Sequence, residues 1–447
     1  MVKQILILLI IVSGNLNLNA QMPVIEADSL MKHYNFKVHR YLDRDSCLQN
    51  FYQIDLYGIS MFPDSVAKRN NEPEYRVNWS ELNIYKNIIA TTPREDAEDI
   101  MMQKRNRPFL PSFIKDYSLI TEYIKYSPTE KLPLKGLRIA LDPGHTASDT
   151  AMGRLEDKYI LLKTKSGKDS IVVSLAEGML TWKTANALAL LLRSEGAEVI
   201  MTRIRPDITA FGKTYAQWRT DDFHRTLDSL LRIDPLNDRL IKIKSGKIKD
   251  ENMIFRYVFR DAELRKRSEI INAFHPDLTV IIHFNVDEKN IPWTHSSTKN
   301  YCMTFVGGAF QSGELCDAER RFDFLRLLLT DELEKSIQIA GLTALEMNSE
   351  LEVPLAKTQD AVYLIEHSTP AGLPGVFCRN LSLTRLVQGT VVYGETLYQD
   401  NNEECILLSK KMPFKAEGNP SLTGNGRLDE VVSAYHNSIL LWAKSLQ

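Results

Sequence analysis

The chain has 447 residues, 44% hydrophobic and 25% charged, a globular balance with room for two or three domains that excludes a disordered, fibrous or multi-span membrane chain. Its 55 basic and 57 acidic side chains leave a formal charge of -2, so no overall positive field gathers nucleic acid or anionic lipid. Five scattered cysteines, Cys47, Cys302, Cys316, Cys378 and Cys405, form no C-x-x-C pair and are too few to staple a secreted fold, although a Cys302–Cys316 bridge stays open.

Lys3, the apolar run Ile5 to Val12 and a polar stretch ending in Asn19-Ala20 read as a secretory signal peptide over residues 1–20. The run is shorter than the roughly 18 to 20 apolar residues a spanning helix needs, so an exported protein without a stable membrane span is expected, periplasmic or elsewhere in the cell envelope. Residues 21–133 mix short helical patterns with Pro and Asn breaks and read as a mainly helical accessory region. After the punctuation of Lys131 to Gly136 the pattern changes. A strand over Leu137–Leu141, a helix over Leu180–Arg193 and a strand over Glu198–Thr202 make a βαβ unit.

An insertion from about 204 to 262 carries Phe211, Tyr215, Trp218 and Phe223 on one helical face; such a stripe is core, and a long insertion beside a site also serves as a wall or lid. Next come a helix over Ala262–Phe274, a strand over Leu278–Ile282 and one long helix from Asp317 to Ala340. A short helix over Leu381–Val387 precedes a strand at Thr390–Tyr393, a linker over 411–426 and a last helix with Leu428, Val431, Val432, Tyr435, Ile439 and Trp442 on one stripe. This order predicts an α/β fold: a mostly parallel twisted sheet with helices on both faces, spanning 134–402, followed by 403–447 as linker and helix.

Three apolar runs lead into reactive residues: Arg138 to His145, Thr279 to Asn285, and Thr390 to Glu395. The carboxyl ends of parallel strands face the ligand crevice, so His145, His283 and Glu395 are expected to converge there. Glu177, just ahead of the first helix, returns to the same sheet end. Three protein ligands plus an open position are what catalytic zinc takes, and a His, Glu, His set of nitrogen and oxygen donors suits Zn2+. Glu395 is then the spare acid, able to act as base.

These residues resemble the zinc-dependent N-acetylmuramoyl-L-alanine amidases of bacterial cell-wall hydrolysis, over roughly 134–402. Asp142-Pro-Gly-His145 is similar to that family's D-P-G-H strand end, Glu177 precedes a helix and Glu195 to Arg203 at its spacing, and Ile281-Ile-His-Phe-Asn285 looks like its S-I-H-x-N element. Glu395 to Asn401 is similar to the closing motif; Arg379 and Asn380, after Gly375 to Cys378, offer another register for it. Thr146 and Ala147 stand where the family carries glycines, and Leu397 where it commonly has Gly. The resemblance implies zinc on His145, Glu177 and His283, Glu395 as general base, and hydrolysis of the lactyl to L-alanine amide of peptidoglycan; it leaves room for an activator protein. Two other functions stay open: an amidase-like module that binds peptidoglycan without turnover, and a zinc hydrolase of another amide on the same scaffold.

Other motifs weigh less. Glu366-His367 reads as structural, Asn285 either as support for the metal shell or as a strand cap, and Lys165 to Asp169 as a hairpin turn because the first Gly of a phosphate loop is missing.

Overall fold

The computed structural model describes residues 23–103, 126–166, 169–290, 294–410 and 422–447. The expected signal peptide, the tip of the 165–169 turn and most of the 411–426 linker lie outside the described residues. The chain forms two compact units, one drawn from Met1–Ile120 with Phe310–Thr330, the other from Thr121–Ala309 with Asp331–Gln447. No helix among the described residues is long and apolar enough to cross a membrane.

The first unit is helical, with Val24–Lys37, Leu82–Thr91, Arg94–Gln103 and Ala318–Leu329. It also holds an antiparallel sheet of β1 (Tyr52–Ile54), β2 (Gly58–Met61) and β3 (Tyr75–Asn78), strands too short for alternation to register in the sequence. The long helix expected over Asp317–Ala340 is instead two, Ala318–Leu329 and Glu332–Leu351, each in a different unit. Thr330 between them is extended, at φ -89° and ψ 167°, and its hydroxyl donates back to Arg326 O at 2.9 Å. Propensity alone reads through such a break; the tertiary partners set it. Phe322 and Phe324 meet the rings of Tyr75 and Tyr52, while Arg321 pairs with Glu74 at 3.0 Å and Arg94 with Asp323 at 2.9 Å.

In the second unit the strands are β4 (Arg138–Pro143), β5 (Tyr159–Ser166), β6 (Asp169–Ala176), β7 (Glu198–Met201), β8 (Leu278–Asn285), β9 (Met303–Val306), β10 (Thr369–Pro370), β11 (Val376–Cys378) and β12 (Val391–Tyr398). Seven of them form one sheet in the order β10-β11-β9-β12-β8-β4-β7. It is mostly parallel, with antiparallel joints at β9/β12 and β10/β11. β5 and β6 pair separately as the hairpin expected around 165–169. β8 is buried along its whole length, as a central parallel strand covered on both faces must be.

Helices Glu177–Ser194, Glu332–Leu351 and Gly426–Lys444 pack together on one face. The last helix buries the six-residue stripe from Leu428 to Trp442, and Asn425 caps it by accepting from Leu428 N at 3.0 Å. On the other face Ile271 and Phe274 of helix Arg260–Phe274 and Leu383 of helix Ser382–Leu386 cover Ala140, Ile281 and Val391. Each fully buried Leu, Ile or Phe contributes roughly 1.5–3 kcal/mol of transfer free energy. The insertion is helical and has its own core, in which Tyr215, Trp218 and Phe223 pack with Phe255 and Phe259, and Phe211 lies against them. All five cysteines are free thiols, so Cys302 and Cys316 form no bridge.

Candidate metal centre and active site

The loop after β4 carries the first ligand candidate. Asp142 is fully buried and pairs with Arg267, also buried, at 3.3 Å. Arg267 further donates to Pro143 O at 2.9 Å and His145 O at 3.0 Å, and Arg203 donates to Pro143 O at 3.3 Å and Gly178 O at 3.1 Å. Two buried guanidinium groups thus hold the Asp142 to His145 backbone in place. Gly144 is required there, because a Cβ would lie 2.3 Å from the His283 ring. His145 takes the left-handed φ of 57°, uncommon for a non-glycine residue and a mark of a conformation fixed by its surroundings.

Glu156 supplies much of that fixing. One oxygen lies 2.9 Å from His145 Nδ1, and the other accepts from Thr146 N at 3.0 Å and Ala147 N at 2.9 Å. A carboxylate on Nδ1 holds the ring with Nε2 turned toward a metal, the arrangement seen where histidine ligates. Glu156 lies at the end of helix Thr150–Glu156, and nothing in its local sequence marks it; sequence reading missed it.

The hairpin of β5 and β6 runs directly into helix Glu177–Ser194, so Glu177 is that helix's first residue and almost fully buried. Its Oε1 lies 3.1 Å from His283 Nδ1 and accepts from Phe284 N at 3.1 Å; its Oε2 lies 3.3 Å from His145 Nε2. His283 and Glu395 stand in register on the adjacent parallel strands β8 and β12, so both side chains rise from one face, about 4.8 Å apart in strand spacing. Tyr393, two residues before Glu395, stacks on the His283 ring at 4.4 Å between centroids and 8° between planes.

Ligand atoms of His145, Glu177 and His283 all lie within 4.8 Å of one another. Bonds of 2.0–2.2 Å around a tetrahedral zinc ion set donors roughly 3.3 Å apart; here one Glu177 oxygen lies 3.1 Å from His283 Nδ1 and the other 3.3 Å from His145 Nε2. Glu177 Oε2 is buried without a hydrogen bond, as is Glu395 Oε2, so two carboxylate oxygens face the group with valence to spare.

The electrostatics point the same way. Burial works against a charge on His145, yet Glu177 and Glu156 push its pKa up to about 9. Burial likewise opposes the Glu177 charge, but His145 and Lys158 hold it well below the ordinary carboxylate range. Burial, aided by His145, takes His283 down to about 4, leaving a neutral ring with a free lone pair. A proton on His145 thus stands where a cation would neutralise the same carboxylates. Burial, then Glu177, pushes Glu395 up to about 8 against the pull of Lys158 and Arg379.

A cavity of about 280 Å³ opens beside the group, lined by His145, His283, Tyr393, Leu264 and, from the end of the insertion, Phe255 and Phe259. Asn285 turns to its own strand end, accepting from Val286 N at 2.8 Å, and donates to Tyr363 Oη at 2.6 Å. Glu366 and His367 are exposed on helix Val362–His367.

Fold and group together define a hydrolase of α/β architecture with a potential metal site at the carboxyl edge of its sheet. The sequence profile of the N-acetylmuramoyl-L-alanine amidases matches residues 139–413, and the chain belongs to that family. No curated protein matches the sequence. Among solved structures it is similar to the N-acetylmuramyl-L-alanine amidase Ami1 from Mycobacterium smegmatis, at 15% identity and a TM-score of 0.35 over 70% of this chain and 98% of that one. It is also similar to the CwlD amidase from Clostridioides difficile, solved with the GerS lipoprotein, at 17% identity and a TM-score of 0.36 over 70% and 100%. The catalytic domain of CwlV from Bacillus (Paenibacillus) polymyxa var. colistinus gives 12% identity and a TM-score of 0.34 over 69% and 98%.

Proposed function

We propose that this chain is an exported, zinc-dependent N-acetylmuramoyl-L-alanine amidase that hydrolyses the lactyl to L-alanine amide of peptidoglycan in the cell envelope. The observation that carries the reading is the gathering of His145, Glu177 and His283 around one point, with Glu395 beside it, in a chain of this family. His145 Nε2, a Glu177 oxygen and His283 Nδ1 would hold the ion. When bound, it supplies Lewis acidity toward a carbonyl and toward water.

The protein's own groups do the rest. Glu156 fixes the His145 ring, and Tyr393 fixes the His283 ring by stacking. Glu395 takes the proton of the attacking water as the carbon–oxygen bond forms and returns it to the amine nitrogen as the carbon–nitrogen bond breaks. Phe255 and Phe259 give the cavity an aromatic wall.

The test is to incubate the purified protein with peptidoglycan, with and without zinc, and to identify the released ends by mass spectrometry. Free stem peptides beginning at L-alanine are expected in the zinc sample alone. Binding without release would replace the amidase by a binding module, and cleavage inside the peptide would replace it by another amide hydrolase.

A further inference from the structure

Arg379 follows β11, two strands from Glu395 in the order β11-β9-β12. Its guanidinium leans over the intervening strand, 5.2 Å above the Phe305 ring and 4.7 Å above the Tyr363 ring. Phe305 is in register with Tyr393, and the two rings are 5.9 Å apart, so the guanidinium lies on the face from which His283 and Glu395 rise. Tyr363 is itself pinned by Asn285 at 2.6 Å. The Arg379 side chain has no hydrogen bond or ion pair among the described residues, and it is half-buried but open to solvent. Arg94, Arg267, Arg321 and Arg427, by contrast, have carboxylate partners, and the buried Arg203 spends its donors on backbone carbonyls. A planar cation held over two rings, with no hydrogen bond of its own among the described residues, is able to receive a planar anion in a two-pronged contact.

We infer that Arg379 reads a carboxylate of the stem peptide, that of the second residue from the scissile amide. The inference rests on the amidase reading for the substrate but not on turnover. On the strand between them Cys378 is level with Val306 and Glu395 with Met303, so the backbone of Arg379 lies two strand spacings across and about four residues along from that of Glu395, roughly 16 Å, and the side chain runs back over Phe305 to cover part of this. A peptide gains about 3.3–3.6 Å per residue, so the second residue falls within reach of the guanidinium. The glycan side of the bond offers neutral hydroxyl and acetamido groups, whereas the stem peptide carries free carboxylates when its second residue is D-glutamate linked through its side chain.

The test measures binding of two synthetic peptides to the full chain by calorimetry: L-alanyl-γ-D-glutamyl-L-lysine and the same peptide with the second-residue carboxylate converted to a carboxamide. Wild type is expected to prefer the acid by about tenfold or more, the scale of one charge-assisted contact. Arg379→Gln should bring that ratio near one and leave the affinity for the amide unchanged, with Arg379→Lys between the two. Equal weakening toward both peptides, or no wild-type preference, including no binding of either, overturns the inference. Circular dichroism checks that the variants fold; should Arg379→Gln not fold, the Arg379→Lys ratio decides. Hydrolysis of peptidoglycan by wild type is scored separately, so loss of the amidase reading with the preference intact is distinguishable from the reverse.

Discussion

Glu395 and Glu156 are both carboxylates at one site, and their surroundings give them different work. Glu395 has a buried oxygen without a partner and a pKa pushed up to about 8 by burial and Glu177. Glu156 is taken down to about 2, because His145 and the Thr146 amide outweigh its burial. On the proposed function, Glu395→Gln should bind zinc as the wild type does and lose turnover by about 10²–10⁴-fold, the usual share of general acid–base catalysis. Glu156→Gln should bind zinc about 10–100-fold more weakly while folding normally, as loss of an outer-shell partner does. Metal content by atomic absorption, chelator competition and turnover on peptidoglycan separate the two; near-normal rates in Glu395→Gln would move the base elsewhere. His145, His283, Glu177 and Glu395 were legible because each adjoins an apolar run or a helix start. Glu156 and Tyr393 were not, since only the folded chain brings one to Nδ1 of His145 and the other onto the His283 ring.

At the scale of elements, the loop that carries His145 is a short piece of backbone clamped from two directions. Arg267 comes from helix Arg260–Phe274 and Arg203 from the end of β7, and both donate to the carbonyls after β4. Asp142, wholly buried, is the charge that Arg267 balances. Arg267→Leu leaves that carboxylate without its cation and should lower stability by about 3–5 kcal/mol, read as a shifted urea midpoint. A shift below 1 kcal/mol would mean Thr202, which also donates to Asp142, suffices alone. Strands β8 and β12 run further than their apolar stretches, to Asn285 and Tyr398, because ladder hydrogen bonds carry polar residues that hydropathy reads as loop. The stripe of Phe211, Tyr215, Trp218 and Phe223 was read correctly as core, and the same cluster reaches the cavity through Phe255 and Phe259.

For the whole molecule, the division into two units does not follow the order of the chain. Helix Ala318–Leu329 leaves the second unit and buries Phe322, Phe324, Leu325 and Leu328 in the first. A fragment beginning at residue 126 should therefore expose that apolar helix and aggregate. The same fragment with 310–330 replaced by a short Gly/Ser linker should be soluble and monomeric on gel filtration. If both fragments behave alike, the helix does not depend on the first unit for its burial.

What the sequence determined by itself was the alternation of strands and helices, the buried central strand and the four residues at strand ends and a helix start, because periodicity and strand polarity are local properties of the chain. The tertiary structure alone decided that Glu156 backs His145, that one expected helix is two, and that the Arg379 guanidinium lies over the Phe305 and Tyr363 rings. Those facts depend on how loops and elements fold against one another, whether the partner is 11 residues away, as Glu156 is from His145, or 247, as Glu74 is from Arg321, and periodicity carries no record of such contacts.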